Sequence, residues 1–191
     1  MTGESVARAG VGGIDCDRMR QALGWFATGV VVTTAWDPGQ REYVGMTMNS
    51  FNSVSLDPPL VLFSISRKAR SLRAWERVPY FAVNVLQRDQ SHLSERFARP
   101  LTAKWEGVDF RPGRHGSPLL EGALASLECS THAHVDGGDH VIFLGRVLHL
   151  EYRESGRPLV FFRGAYTGVD PVLNSRPERD LIGNWPLSLH Y

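Results

Sequence analysis

Cysteine is scarce in this chain of 191 residues, with only Cys16 and Cys129 present. Two thiols make no disulfide framework, so a reducing cytoplasm is the expected compartment. Cys129 lies in an apolar, strand-like run and reads as a small buried hydrophobe. No apolar stretch approaches the ~20 residues that span a bilayer, and residues 1–13 lack the apolar core of a secretory signal. No membrane role is expected. The formal net charge is +1, which offers nothing to a polyanion, so a nucleic-acid partner is not expected either.

Several cofactor and catalytic signatures are missing too. A dinucleotide-binding turn needs Gly-x-Gly-x-x-Gly between a strand and a helix, whereas Gly10, Gly12 and Gly13 follow no strand. There is no phosphate-binding P-loop and no nucleophile elbow with Ser, Asp and His in order. A nucleotide, if bound, is held outside the usual α/β machinery. His132 and His134 share a predicted strand face, but no third ligand stands at a metal-binding spacing, so no metal is expected.

What is present suits one soluble domain. Residues 1–13 are rich in Gly, Ala and Ser and read as a disordered leader. Residues 14–170 form the domain, and 171–191 an irregular tail that retains Trp185, Leu187 and Leu189 for packing. Asp15 caps a predicted helix in which Met19, Ala22, Leu23 and Phe26 recur at helical spacing, with Gly29 placed to end it. Strands are predicted over 30–34, 43–56, 60–66, 80–86, 119–135, 140–152 and 158–166, and short helices over 71–77 and 90–98. The Asp136-Gly137-Gly138-Asp139 run supplies the positive φ angles of a tight hairpin. Strands dominate and do not alternate one for one with helices. The pattern predicts a mainly β fold, an antiparallel barrel with added helices, rather than a doubly wound parallel sheet.

Three segments carry chemistry. Residues 45–55 read Gly-Met-Thr-Met-Asn-Ser-Phe-Asn-Ser-Val-Ser. A core strand that polar would be costly if its groups went unpaired. Either the strand edges a ligand, with hydroxyls and amides for a polar heteroaromatic ring and a polyol chain, or it shows a wet face to solvent. Residues 64–71 end a strand in hydroxyls, turn through Arg67, Lys68 and Arg70, and start a helix near Ser71. Backbone N–H groups beside such cations suit a phosphate, and a solvated basic turn is the alternative. Asp139 next to His140 can hold the imidazole in one tautomer toward a cleft, if the histidine is not merely on the surface.

Residues 45–51 and 53–62, with Phe81-Ala82-Val83-Asn84-Val85-Leu86, Gly138-Asp139-His140 and the run 158–166, Pro-Leu-Val-Phe-Phe-Arg-Gly-Ala-Tyr, occur in an order that resembles the short-chain flavin reductases. The resemblance covers the chain from the first predicted helix to Tyr166. It implies an antiparallel Greek-key split β-barrel of the FMN-binding kind, and a homodimer. It also implies an NADH-dependent flavin reductase that passes a hydride from nicotinamide C4 to flavin N5 and supplies reduced flavin to a partner monooxygenase. FAD is the flavin expected, with FMN the alternative. NADH is preferred to NADPH because no dedicated arginine for a 2′-phosphate is identified.

Carried over by residue, the resemblance implies that Tyr43, Val44, Gly45, Met46, Thr47, Asn49 and Ser50 line the isoalloxazine ring and ribityl chain. Ser64, Ile65, Ser66, Arg70 and Ser71 hold phosphate, and Arg96 and Phe97 touch the flavin from another side. His140, Phe161, Phe162, Arg163 and Gly164 receive NADH, His140 by orienting the nicotinamide without a covalent role. Two alternatives stay open: a flavoprotein of this fold that retains its flavin and reduces another small molecule, and a flavin- or haem-binding module without turnover.

Overall fold

The protein was analysed as a computed structural model that describes residues 13–100 and 103–169. The leader up to residue 12 and the tail from residue 170 lie outside the described residues. In chain order the elements are α1 (Cys16–Leu23), β1 (Thr28–Gly29), β2 (Val31–Asp37), β3 (Glu42–Met48), β4 (Asn52–Leu56), β5 (Pro59–Ser66), α2 (Leu72–Trp75) and β6 (Tyr80–Val85). There follow α3 (Ser91–Ala98), β7 (Phe110–Pro112), β8 (Pro118–Leu120), β9 (Ala125–Gly137), β10 (His140–Tyr152), β11 (Val160–Phe162) and β12 (Ala165–Thr167).

Seven strands form one antiparallel sheet in the order β3-β2-β6-β9-β10-β5-β4. Its two outermost strands, β3 and β4, are consecutive in sequence and joined only through Asn49, Ser50 and Phe51. The sheet must therefore curl until its edges meet, which is the barrel. Inside it pack Phe63, Phe81, Phe143, Ile65 and Trp75, with the Phe63 ring stacked on Phe143 at 5.2 Å and edge-on to Phe81. Gly145 allows the close approach: a Cβ there would lie 2.3 Å from Phe81 Cζ.

A second apolar cluster, with Val30, Val32, Leu86, Leu93, Phe97 and Leu159, packs outside the barrel under α3. Val31 and Ala35 face the first cluster while Val32 faces the second, so β2 is buried on both faces. A continuous β-branched run is what such a strand requires. Asn84 stitches the layers together. Its amide nitrogen donates to the Val32 carbonyl and Thr34 Oγ1, and its oxygen accepts from Leu120 N and Ser126 Oγ. With donors and acceptor engaged, this buried amide incurs no orphan cost.

Four expectations shift. The first helix stops at Leu23 with Gly24 as its cap, not at Gly29, because Thr28 and Gly29 pair with Phe161 and Val160 as β1. Met19, Leu23 and Phe26 are consequently exposed (52%, 59% and 73%) rather than core. The strand predicted over 43–56 is two strands on opposite edges of the sheet. The last strand is a hairpin, turning at Arg163 (φ 49°) and Gly164 (φ 81°). Thr131 pairs with Gly145 and Ala133 with Leu144, so His132 is the extra residue of a β-bulge. The bulge breaks the alternation on which a shared face with His134 depended. Cys129 is buried as expected. Among the described residues no helix is long and apolar enough to cross a membrane.

Asp37, fully buried at the end of β2, receives Gly39 N at 2.9 Å and Arg77 Nη2 at 2.7 Å. Burial alone would raise its pKa, but the Arg77 hydrogen bond, the Gly39 amide and the Arg77 charge outweigh it and hold the carboxyl below its ordinary value. A carboxyl depressed in the folded state stabilises above its unfolded pKa of about 4 and loses that contribution as the pH falls through the folded value. Asp37→Asn is expected to cost about 2 kcal/mol at pH 7 in urea unfolding, with the gap to the parent protein narrowing steadily below about pH 4.

Candidate functional site

Where the sheet edges meet, Ser50 sits between β3 and β4 and faces β5. Its hydroxyl accepts from Ser64 N at 3.0 Å and donates to the Ser64 carbonyl at 3.3 Å. The contact extends the β4–β5 ladder one step beyond the Asn52↔Leu62 pair, with a side chain in place of backbone. Beside the seam lies a cavity of about 440 Å³. Its walls are Met46, Thr47, Asn49 and Ser50 on one side, Ser64, Ile65 and Ser66 on another, and Gly137, His140 and Ile142 from the β9–β10 hairpin. The His140↔Ser66 pairing of β10 with β5 brings the histidine to the hydroxyls.

The hairpin tip is clamped. Arg67 donates through Nε to the Gly138 carbonyl and through Nη2 to Asp136 Oδ1, each at 2.8 Å, and its own N–H reaches the Asp139 carbonyl. The Arg67 bond holds the Asp136 carboxyl below its ordinary value. His140 Nδ1 lies 2.7 Å from Asp139 Oδ1. That hydrogen bond, with the histidine charge, holds the Asp139 carboxyl low as well. An ionised carboxylate only accepts, so the Nδ1 beside it carries a proton, which fixes Nε2 as the acceptor of the neutral tautomer.

The predicted flavin residues divide into two groups. Met46, Thr47, Asn49, Ser50, Ser64, Ile65 and Ser66 meet in the cavity, together with His140. Tyr43, Val44 and Gly45 do not line it. Tyr43 gives its carbonyl to Trp105 Nε1 at 2.8 Å and packs its ring with Trp36, Trp105 and Phe110, and Val44 belongs to the barrel core. Gly45 lets Phe97 in, since a Cβ there would lie 2.6 Å from Phe97 Cε1. Phe97 itself is fully buried, and Arg96 bonds the Glu106 carbonyl, so α3 braces β3 from behind. Burial lowers the pKa of Lys104, whose ammonium reaches the carbonyls of Gly45 and Phe97. On the basic turn, Ser71 makes no side-chain cap to the four-residue α2, and Arg70 is exposed. Arg67, counted among the phosphate cations, is committed to the hairpin.

Phe161, Arg163 and Gly164 line a second cleft of about 650 Å³, closed on its other side by Trp25, Phe26 and the end of α1. Phe162 packs edge-on to Trp25 at 6.0 Å, and the Arg163 guanidinium lies 4.3 Å from the same ring. Asn49 lines both spaces, whereas His140 belongs to the first alone. Trp25 and Phe26 were missed as cleft residues because Phe26 was read only as one of the periodic residues of the first helix. Two adjacent aromatics after a helix-ending glycine were the signal available. Cys129, with its pKa pushed up to about 12 by burial and then by Glu128, has no thiolate to offer a reaction. Among the described residues no three His, Cys, Asp or Glu side chains group as metal ligands.

Comparison with known proteins adds the following. Residues 22–170 match the family model described as the flavin reductase like domain. The chain is 44% identical over 158 residues to the reductase subunit HsaB of a flavin-dependent monooxygenase from Rhodococcus jostii, covering 83% of this chain and 80% of that one. It is 44% identical over 155 residues to the FMN reductase (NADH) SmoA of Agrobacterium fabrum, covering 81% and 87%. An NADH:FAD oxidoreductase from Streptomyces globisporus C-1027, solved with NAD and FAD fragments, superposes with a TM-score of 0.79 at 37% identity, covering 84% of this chain and 96% of that one.

Ser50→Ala removes both bonds to Ser64. Urea unfolding is expected to show a loss of about 1 kcal/mol, and the Ser64 amide should lose protection from hydrogen exchange while the Phe63 and Phe143 amides keep theirs.

Proposed function

The chain belongs to the flavin reductase like family, and from that premise we propose that it is an NADH-dependent flavin reductase that delivers reduced flavin to a partner monooxygenase. The observation that carries this reading is the meeting of Thr47, Asn49, Ser50, Ser64, Ser66 and His140 around one cavity, with Asn49 shared by the adjoining cleft of Phe161, Arg163 and Gly164. A volume of about 440 Å³ with one open side suits a planar heteroaromatic ring whose chain extends outward. The hydroxyls of Ser64 and Ser66 and the exposed Asn49 are placed for the polar edge and the ribityl chain. Ser66 and Arg70 serve the phosphate in this reading. FAD is the flavin we propose, in keeping with the named activity of the Streptomyces relative.

When bound, the flavin supplies the hydride acceptor at N5. The chain's own part is to bind, to orient and to exclude water. His140 offers Nε2 as an acceptor to the carboxamide N–H of the nicotinamide while Asp139 fixes its tautomer. Phe161, Phe162, Arg163 and Gly164 receive the nicotinamide nucleotide together with His140 in this reading. No side-chain nucleophile or metal is called on.

We further propose a homodimer acting in the cytoplasm. Ile14, Met19, Leu23, Trp25 and Phe26, close to one another in the chain, are all exposed apolar side chains of the kind an interface would cover. A monomer in light scattering speaks against it.

Catalytic protein mixed with excess free FAD and NADH should turn over many equivalents of added flavin. A bound flavin that is indifferent to added flavin would instead favour a retained prosthetic group. His140→Ala is expected to raise the KM for NADH by about tenfold, the worth of one hydrogen bond to the carboxamide. Flavin affinity, read by fluorescence titration, should stay near the parent value, and equal losses of both would refute the orienting role.

A further inference from the structure

We propose that Ser94, on α3, is a positioning residue that fixes the spacing between the flavin wall and the nicotinamide hairpin; the inference rests on the function proposed above. Ser94 is fully buried and touches neither cavity. It nevertheless makes a bond to each of the two elements that do. Its carbonyl accepts from Thr47 Oγ1 at 2.6 Å, and Thr47 stands in the wall of the 440 Å³ cavity. Its hydroxyl pairs with the Tyr166 hydroxyl at 2.8 Å. Tyr166, on β12, lies directly opposite Phe161 in the β11–β12 ladder, and its ring packs edge-on to the Phe161 ring at 5.9 Å. Phe161 in turn lines the 650 Å³ cleft.

The β11–β12 hairpin needs such an anchor. It belongs to a separate three-stranded sheet whose remaining strand is the two-residue β1. Apolar packing of Tyr166 sets its distance from α3 only loosely, since such contacts are not directional. A hydroxyl pair with one member sealed from water is directional and has no solvent to replace it. Thr47, Ser94 and Tyr166 thus form one bonded chain from the flavin wall to the nicotinamide side. Hydride transfer depends steeply on the separation and alignment of the two rings, so the chain should be felt in the chemical step more than in the binding of either ligand.

Tyr166→Phe tests this, because it keeps the ring and its packing and removes only the hydroxyl. In anaerobic single-turnover mixing of flavin-loaded protein with NADH, the rate constant for bleaching of the flavin band is expected to fall about tenfold. The long-wavelength charge-transfer absorbance of the stacked rings should weaken with it. Dissociation constants for FAD and for NAD⁺ should stay within about twofold of the parent values. Ser94→Ala should give the same deficit, and the double variant no more than either single one, since all remove one bond. A parent-like bleaching rate and charge-transfer band in Tyr166→Phe overturn the positioning role while the reductase reading stands. So does a lowered melting temperature with an unchanged chemical step. Absence of bleaching in the parent protein overturns the reductase reading, and this inference with it.

Discussion

The Ser50 hydroxyl, bonded to both backbone groups of Ser64, sits where the two edges of the main sheet come together. Strands β3 and β4 are neighbours in sequence and yet lie at opposite ends of a seven-strand order, so the connection through Asn49, Ser50 and Phe51 has to cross the mouth of the barrel. A continuous ladder there would have filled the gap with backbone pairing and left no room for a ligand. A single serine closes the seam at one point and leaves a cavity beside it. The need for closure and the presence of a cavity have one cause.

Around that opening the walls are held by residues outside the cavity as well as by the Ser50 and Thr47 hydroxyls. Arg67 ties the β9–β10 turn to the end of β5, which fixes where Gly137 and His140 stand. Phe97 and Trp105 press β3 from behind at Gly45. Asn84, near the end of β6, satisfies four partners at once and holds the β7–β8 hairpin against the barrel. Buried polar networks of this kind are costly when incomplete and rigid when complete. In the function proposed above, such rigidity would serve to hold two planar rings in register.

The second cleft is built differently. Its walls are a turn at the end of α1 and a three-residue-strand hairpin, joined by the Arg163–Trp25 contact and by the Arg163 N–H bond to the Gly24 carbonyl. Arg163 takes a positive φ to do this, a conformation that costs a side-chain-bearing residue free energy and calls for support from its surroundings. The Trp25 ring against its guanidinium and the carbonyl of Gly24, the residue before that tryptophan, supply that support. The two spaces differ in construction and share Asn49.

Much of this was legible in the residues. The strand-rich pattern, the tight Asp-Gly-Gly-Asp hairpin, the buried Cys129 and the polar run 45–55 follow from local rules of period, turn chemistry and the cost of burying unpaired polar groups. Those rules act over a few residues, and they marked the strand-rich stretches and the unusually polar ones. They were blind to partnership. Whether residues 43–56 made one strand or two opposite edges depended on a closure between residues far apart in the chain. The packing of Phe97 on Gly45 and the bond of Arg67 to Asp136 likewise join residues that no local pattern connects. Phe26 kept helical spacing in a place where no helix continues, because Thr28 and Gly29 were claimed by β11. Local sequence fixes what a segment prefers. The tertiary structure alone decided which polar groups were used to hold the barrel and which were left facing the cavity, since each hydroxyl and guanidinium has few bonds to give and its partner lies elsewhere in the chain.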